Sequence, residues 1–405
     1  ELANVKAARL IRATIAAAEA KGEVVEVPVK VGSRVLILCD SPAGFQLAEK
    51  LKEHAKPILL LDEASEAFDN LFPYPLPWEV SRGKAVEVKG SLGGFQVAVE
   101  RTQPLDLRRC IYCGKCAPVC HTQAITPGLR LVMEKCDQCG DCLTACGEVK
   151  AIKIPRKEKK TIKADQVVVL YSGDEPPVKA RHTGLHFLQR PTPGDLDSVA
   201  FTVLSFIGDF TKPEYVLYNP ATCAGGAADI KGCGICITAC PYQAISRGPD
   251  DPIQKEWRRM RIDLQACEGC GACISACPTS SLRFTDPSEA ELYARLKGFL
   301  APLLGDGACQ AILFHCPEKG HAVLKEAGKR RLPYSSRLLP VQVPCLRFVS
   351  EANILAAFRM GASGVALLGC ESCPHGEREI LLQKFDFCRL LLESFKFGAE
   401  RLALI

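Results

Sequence analysis

Cysteine is the residue type in this chain that could do the most chemistry. The chain has 23 cysteines among its 405 residues. Thiolates are soft ligands that suit iron–sulfur clusters and zinc. Sixteen of the cysteines form four groups with short spacing. In chain order the groups are Cys110, Cys113, Cys116 and Cys120; Cys136, Cys139, Cys142 and Cys146; Cys223, Cys233, Cys236 and Cys240; and Cys267, Cys270, Cys273 and Cys277. Three groups read C-x2-C-x2-C-x3-C. The third group keeps the C-x2-C-x3-C part, but nine residues separate it from its leading cysteine.

Such runs bind [4Fe-4S] clusters in crossed pairs, because the fourth cysteine of each run ligates the other cluster. Two runs make one dicluster ferredoxin module, so the spacing predicts two modules and four clusters. We number the predicted ligand sets in chain order. Set 1 is Cys110, Cys113, Cys116 and Cys146; set 2 is Cys136, Cys139, Cys142 and Cys120; set 3 is Cys223, Cys233, Cys236 and Cys277; set 4 is Cys267, Cys270, Cys273 and Cys240.

The two modules differ after the fourth cysteine of each run. In the second module the fourth cysteines are followed by Pro241 and Pro278, and proline is the usual residue of the motif at this position. His121 and Gly147 stand there in the first module. Together with the displaced Cys223, this difference predicts that the modules have different reduction potentials, without giving which is lower.

Composition and charge argue against several other classes of protein. Hydrophobic residues make up 47% and charged residues 24% of the chain, as in an ordinary globular protein. The formal charge is +5 with thiols counted as neutral, and four clusters of about −2 each would bring it to about −3. A basic nucleic-acid-binding surface is therefore not implied, and no base-reading motif accompanies the Lys and Arg residues. The metal-like spacing disfavours a secreted disulfide scaffold, so we expect a reducing cytosol in an anaerobic or facultative organism.

Two stretches bear on targeting and membranes. Residues 1–22 predict a charged amphipathic helix and not the apolar core of a signal peptide. The apolar stretch at 199–208 is too short to span a bilayer. We therefore expect a cytoplasmic protein that would reach a membrane only through partner subunits.

Hydrophobic patterning predicts a multidomain fold of the α+β and α/β classes. Strands that alternate with helices at both ends of the chain indicate parallel sheets, doubly wound in the last domain. The predicted segments are an N-terminal α/β domain (1–100), the first ferredoxin module (101–172), a linker with a helix (173–212), the second ferredoxin module (213–287) and a C-terminal doubly wound α/β domain (288–405).

The N-terminal domain shows no cofactor motif of its own. Buried strands predicted at 34–40 and 57–63 flank an amphipathic helix at 43–55, which indicates a parallel βαβ unit. The turn after the first strand lacks G-x-G-x-x-G, so a dinucleotide site has little support. Cys39, at the end of that strand, is interpreted as a buried core residue.

The last domain carries a further group of cysteines. Cys316, Cys345 and Cys370 each end a predicted strand, and Cys373 follows closely. In an open parallel sheet the strand C-termini line one edge, where ligand sites form. The four cysteines would converge there, and an iron–sulfur cluster is the favoured interpretation. Two alternatives stay open: a structural zinc site, and a reversible dithiol of Cys370 and Cys373 with His375 as its acid–base group.

The motifs FHCPEKG, VPCLRFVS and MGASGVALLGCESC of this domain resemble the delta subunit of methyl-viologen-reducing hydrogenase. That family also occurs fused to or associated with heterodisulfide reductase-type proteins, binds a [2Fe-2S] cluster and relays electrons between catalytic subunits. The resemblance implies Cys316, Cys345, Cys370 and Cys373 as [2Fe-2S] ligands. The layout of the chain, and the stretch YNPATCAGGAADIKGCGICITACPYQAIS, are similar to long iron–sulfur proteins encoded beside bacterial formate dehydrogenases.

Together these features predict an electron-transfer subunit of a multi-subunit anaerobic redox complex, of hydrogenase, heterodisulfide reductase-like or formate dehydrogenase type. Its expected cofactors are four [4Fe-4S] clusters and one [2Fe-2S] cluster. Its expected partners are other redox subunits, such as a formate dehydrogenase, a hydrogenase or a flavin-containing subunit. The sequence has no evident nucleophile–base pair and no flavin fingerprint, so a non-catalytic subunit is expected. The alternative is a thiol-redox catalytic site at Cys370 and Cys373.

Overall fold

A computed structural model describes residues 2–70, 76–154, 157–178, 182–225, 232–248, 260–302, 310–370, 373 and 378–405. The chain divides into two compact units. One comprises Glu1–Val27 and Lys212–Ile405, and the other comprises Pro28–Thr211. Within the described ranges, the helices are too short or too polar to cross a membrane.

Helices and short strands follow one another throughout the described residues. The helices are α1 (Leu2–Glu19), α2 (Ala43–Leu51), α3 (Asp141–Cys146), α4 (Pro193–Ser205), α5 (Ile235–Ala239), α6 (Ala272–Ser275), α7 (Glu289–Leu300), α8 (Lys319–Lys329), α9 (Glu351–Arg359) and α10 (Arg378–Ser394). The strands are β1 (Glu26–Val31), β2 (Arg34–Cys39), β3 (Lys56–Leu61), β4 (Glu79–Arg82), β5 (Lys84–Lys89), β6 (Phe95–Arg101), β7 (Glu158–Ala164), β8 (Gln166–Tyr171), β9 (Leu185–Gln189), β10 (Gly208–Pro213), β11 (Val216–Tyr218), β12 (Ile245–Arg247), β13 (Met260–Ile262), β14 (Leu282–Phe284), β15 (Ala311–His315), β16 (Leu338–Gln342), β17 (Gly364–Leu368) and β18 (Leu402–Leu404).

The unit of residues 28–211 is built on a five-stranded parallel sheet in the order β4-β3-β2-β8-β9. Its central strand β2 alternates between two cores. Val35 and Ile37 face the core that α2 and α4 cover, whereas Leu36 and Leu38 face an antiparallel sheet of β5, β6 and β7. Cys39 is buried beneath α2, as predicted. A sheet covered on both faces is the usual setting for parallel strands, which explains the nearly continuous apolar run of β2.

This sheet draws on more distant segments than the sequence indicates. Strand β8 lies in the segment 101–172 assigned to the first ferredoxin module, but it pairs with β2 and so joins the sheet of the N-terminal segment. The segment 173–212, predicted as a linker with a helix, also supplies β9. Its helix α4 begins after a capping box formed by Thr192 and Asp195. Pairing between strands so far apart in sequence leaves no local pattern, so periodicity alone could not reveal it.

The first ferredoxin module is inserted between two paired strands of the antiparallel sheet. Strands β6 and β7 pair as far as Arg101 opposite Glu158, and the module occupies the chain between these residues. An isolated bridge between Leu105 and Ile152 continues the contact into the module. The ladder therefore anchors both ends of the cysteine loops on a regular element.

The other unit combines the second ferredoxin module with the C-terminal domain. In the module, β11 pairs with β14 and β12 pairs with β13, both antiparallel. In the C-terminal domain, β15 to β18 form a parallel sheet in the order β16-β15-β17-β18. The chain passes from β15 to one neighbour and then to the other, which is the doubly wound arrangement that the sequence predicts.

The N-terminal helix α1 packs on α7 of the same unit. Arg12 Nε donates to the carbonyl of Gly298 (2.7 Å), and Arg9 donates to the carbonyl of Ala301 (3.0 Å). Gly298 permits the close approach, because a Cβ there would lie 2.6 Å from the Cα of Ala13. The two arginines thus satisfy carbonyl groups at the end of α7, which otherwise lack helical partners.

Candidate metal centres

All four members of set 1 line one small cavity in the first module. The loop cysteines are joined there by Cys146, the last residue of α3. The pKa of Cys116 is raised to about 11, mainly by burial and further by the neighbouring thiols of Cys110, Cys113 and Cys146. Apolar side chains complete the walls: Leu105, Ile111, Leu129, Val149 and Ile152. Four thiols around a mostly apolar cavity are the donor set that a [4Fe-4S] cluster requires.

Set 2 is assembled in the same crossed way. The pKa of Cys142 is raised mainly by burial and further by the neighbouring thiols of Cys120 and Cys136, and Cys139 adds a smaller contribution. Cys120 therefore lies within electrostatic reach of the second run, as the crossed rule requires. The backbone N–H of Ala124 donates to Cys120 Sγ (3.2 Å).

Set 3 is brought together although Cys223 is displaced in sequence. The pKa of Cys236 is raised to about 11, mainly by burial and further by the neighbouring thiols of Cys223, Cys277 and Cys233. Burial opposes ionisation of Cys277, but hydrogen bonding with Ser281 and with groups around Thr279 lowers its pKa to about 7.

Set 4 lines a second cavity, in the second module. The backbone N–H of Ala244 donates to Cys240 Sγ (3.3 Å). The pKa of Cys273 is raised mainly by burial and further by the neighbouring thiols of Cys270, Cys267, Cys240 and Cys236. Since Cys236 belongs to set 3, sets 3 and 4 adjoin at Cys273.

Three of the four runs share one backbone conformation. In each, the residues just before and just after the second cysteine have φ between +55° and +87°: Tyr112 and Gly114, Gln138 and Gly140, Gly269 and Gly271. Alternation of this kind turns backbone N–H groups into a concave surface that suits anions, iron–sulfur centres included. The third run departs from it, since Gly234 has φ −140°.

The structure brings the four C-terminal cysteines to one edge of the parallel sheet. Cys316 follows β15 directly, and Cys345 and Cys370 lie just beyond the neighbouring strands β16 and β17. Burial raises the pKa of both Cys345 and Cys370, and Cys373 and Cys316 raise them further. Gly320 donates its N–H to Cys316 Sγ (3.2 Å). Strand β15 is where the strand order reverses, which is the position at which such sheets bind ligands.

The four sulfurs are spread more widely than the ligands of a single bound zinc ion. A tetrahedral zinc with Zn–S bonds of about 2.3 Å holds its sulfurs about 3.8 Å apart. Among the described residues, no three of the four sulfurs lie within 4.8 Å of one another. His375, the predicted partner of a dithiol, lies outside the described residues.

Two residues of the second module contact the cysteine loops without having been singled out by the sequence. Arg247 donates to the carbonyls of Gly225 (3.2 Å) and Cys233 (2.8 Å), and so ties together both ends of the insertion after Cys223. Tyr242 is buried, and this burial is the main cause that raises its pKa. Cys270 and then other nearby acidic groups raise the pKa further. Neither belongs to a recognisable motif, because both act through contacts that only the fold creates.

Three parts of the chain match known families. Residues 104–126 match a 4Fe-4S binding domain, and residues 231–281 match a 4Fe-4S dicluster domain. Residues 311–405 match the family described as methyl-viologen-reducing hydrogenase, delta subunit. No curated protein matches the chain.

These matches confirm the predicted fold class and the resemblance of the last domain to the delta subunit. The similarity to proteins encoded beside formate dehydrogenases stays a prediction. The run from Cys136 to Cys146 lies beyond the first match, so its assignment rests on spacing and geometry. The chain joins 4Fe-4S ferredoxin domains to a C-terminal domain that matches the methyl-viologen-reducing hydrogenase delta subunit, and together these domains support a role in iron–sulfur electron transfer.

Proposed function

We propose that the chain is an electron-transfer subunit of a multi-subunit redox complex, with four [4Fe-4S] clusters in sets 1 to 4 and a [2Fe-2S] cluster in the C-terminal set. The convergence of five sets of four cysteines, each drawn from separate stretches of chain, carries this proposal. When bound, such clusters each take up and release one electron. The C-terminal set consists of Cys316, Cys345, Cys370 and Cys373.

The protein would bind these groups with thiolates and tune them with backbone donors. In each set at least one sulfur accepts a hydrogen bond from a backbone or hydroxyl group. Hydrogen bonds to ligand sulfurs stabilise negative charge and so influence the reduction potential. The backbone N–H donors at 3.2–3.3 Å from a ligand sulfur are those of Tyr112, Ala124, Ala151, Ala244 and Gly320.

The delta-subunit match supports a partner of hydrogenase type. A heterodisulfide reductase-type protein, a formate dehydrogenase or a flavin-containing subunit would be an equivalent donor or acceptor. We place the complex in the cytoplasm of an anaerobic or facultative organism, with membrane contact only through other subunits.

A catalytic dithiol at Cys370 and Cys373 is the competing function for the last domain. A reactive dithiol needs a lowered thiol pKa, since the thiolate is the nucleophile. Burial and the neighbouring cysteines instead raise the pKa of Cys370.

Replacement of Cys373 by serine tests the C-terminal cluster in the anaerobically purified holoprotein. We expect one [2Fe-2S] EPR signal to disappear while about 16 iron atoms of the four [4Fe-4S] clusters remain. Cys388→Ser is the matched control, because Cys388 is buried within α10 and lies outside the set. Persistence of the signal in Cys373→Ser, or one tightly bound zinc in place of the signal, would contradict the proposal.

A further inference from the structure

The second module and the C-terminal domain meet at a short contact between two cysteine loops. A 3-10 turn at Leu346–Phe348 follows Cys345 directly and lies against α6. On the other side, Gly271 follows Cys270 and begins α6, and a Cβ on Gly271 would lie 2.5 Å from Cδ2 of Phe348. The backbone after Cys270 therefore touches the turn after Cys345.

This contact brings set 4 next to the C-terminal cysteines. After burial, Cys345 is the largest influence that raises the pKa of Cys270, ahead of Cys240 and Cys267 of its own set. Tyr242 is buried within electrostatic reach of both Cys270 and Cys345. The leading cysteine influences on the pKa of Cys236 come from its own set, namely Cys223, Cys277 and Cys233.

Lys384 of α10 holds the two sides of this contact together. Its ammonium group donates to Ser275 Oγ of α6 (2.9 Å) and to the carbonyls of Arg347 (3.2 Å) and Val349 (3.0 Å). Ser275 Oγ itself lies 2.5 Å from the carbonyl oxygen of Arg347, to which it donates. The guanidinium of Arg347 adds a bond to the carbonyl of Ala239 (3.0 Å), at the end of α5.

The environment of Lys384 argues for a structural use of its charge. Burial lowers the pKa of Lys384 to about 8. Such a desolvated ammonium is retained only where hydrogen bonds compensate it. Its three protons match the three acceptors, so none remains for an anion in the adjoining cleft.

We propose that Lys384 is a positioning residue that fixes the separation between set 4 and the C-terminal cysteine set, by joining α6 to the turn after Cys345. This rests on the proposed function, since both sets must carry their clusters for the separation to matter. Electron exchange between neighbouring centres depends steeply on their separation, so a loosened contact would slow it. Lys384 touches none of the ligand cysteines through its three bonds, and it acts through Ser275 and Arg347.

Pulsed EPR on the fully reduced holoprotein measures this separation as a dipolar interaction between the C-terminal signal and its nearest neighbour. In the wild type we expect a single narrow interaction, which Cys270→Ser abolishes because it removes a ligand of set 4. In Lys384→Met we expect a broader and weaker interaction, with iron content unchanged. Ser275→Ala removes one acceptor of the ammonium, and we expect it to give a smaller change in the same direction.

Arg389→Met is the matched control on the same helix, because Arg389 donates to the carbonyl of Leu402 within the C-terminal domain and not to α6. It should leave the interaction as in the wild type. An interaction that stays narrow in both Lys384→Met and Ser275→Ala, with all clusters bound, would overturn the positioning role alone. Absence of any C-terminal EPR signal in the wild type would overturn that role together with the proposed [2Fe-2S] cluster. If Lys384→Met loses iron, the result with Ser275→Ala decides.

Discussion

In the first ferredoxin module Cys113 and Cys139 are exposed, whereas in the second module every described ligand cysteine is half-buried or buried. Ile111, beside the first ligand of set 1, is 66% exposed. In the second module, Cys223 and Cys273 belong to the hydrophobic core that includes Phe348 and Leu346 of the C-terminal domain. In the first module, Cys116 and Cys142 are likewise buried in the core of the other unit. Each module thus buries two ligands, but of the two only the first also presents ligand cysteines to solvent.

The difference indicates a division of labour between the modules. A centre near the surface can exchange electrons with another molecule, and an enclosed centre is limited to neighbours within the protein. We therefore expect partner subunits to dock at the first module. The second module would serve mainly the C-terminal site.

The largest effect should come from removing a ligand from each kind of environment. Cys273→Ala opens a cavity in a core shared with the C-terminal domain, so we expect a loss of more than about 4 kcal/mol in the free energy of unfolding. Cys113→Ala also removes a cluster ligand but opens no cavity in a core, so we expect a smaller loss. Anaerobic denaturant unfolding of both holoproteins measures the contrast. Equal losses would mean that the second module is no more enclosed than the first.

A pair of glycines offers a finer comparison, since Gly271 and Gly140 occupy equivalent positions after the second cysteine of their runs. Both have left-handed φ, +71° and +87°, so alanine costs about 1 kcal/mol at each. At Gly140 a Cβ would meet nothing within 4 Å, but at Gly271 it would collide with Phe348. Gly271→Ala should therefore cost about 1–3 kcal/mol more than Gly140→Ala in unfolding free energy. Equal costs would show that Phe348 does not pack on α6 in solution.

The smallest effect concerns the order in which clusters are lost. Brief exposure of the holoprotein to ferricyanide and EDTA, followed by iodoacetamide, labels each cysteine as its cluster is lost. We expect Cys113 and Cys139 to be alkylated several-fold faster than Cys270 and Cys273, because solvent reaches the first module more easily. Peptide mass spectrometry reads both modules in one sample. Uniform labelling rates would contradict the contrast in enclosure.

The cysteine spacing carries most of what could be predicted about the candidate sites. A C-x2-C-x2-C-x3-C run encodes its loop locally, so the approach of Cys146 to Cys110 and of Cys120 to Cys142 follows from the crossed rule. The C-terminal set follows in the same way from Cys316, whose strand end can be read from the sequence. These inferences need only short segments and the geometry of one sheet.

The remainder depends on contacts between distant segments. The pairing of β8 with β2 and the packing of α1 on α7 bring together parts of the chain that share no motif. The roles of Lys384 and Arg247 depend on carbonyl groups, which every residue possesses and which therefore leave no mark in the sequence. A buried lysine on an amphipathic helix looks like any exposed one until its neighbours are known.

Native mass spectrometry of the anaerobically purified chain is the sharpest test of the proposed cofactor content, because it counts the metal and sulfide of every centre together. We expect a mass increment for four [4Fe-4S] clusters and one [2Fe-2S] cluster, or about 18 iron atoms per chain. Collisional activation should release the set 1 and set 2 clusters before the others. An increment for about 16 iron atoms with one zinc, or for fewer than four [4Fe-4S] clusters, would contradict the proposed cofactor content.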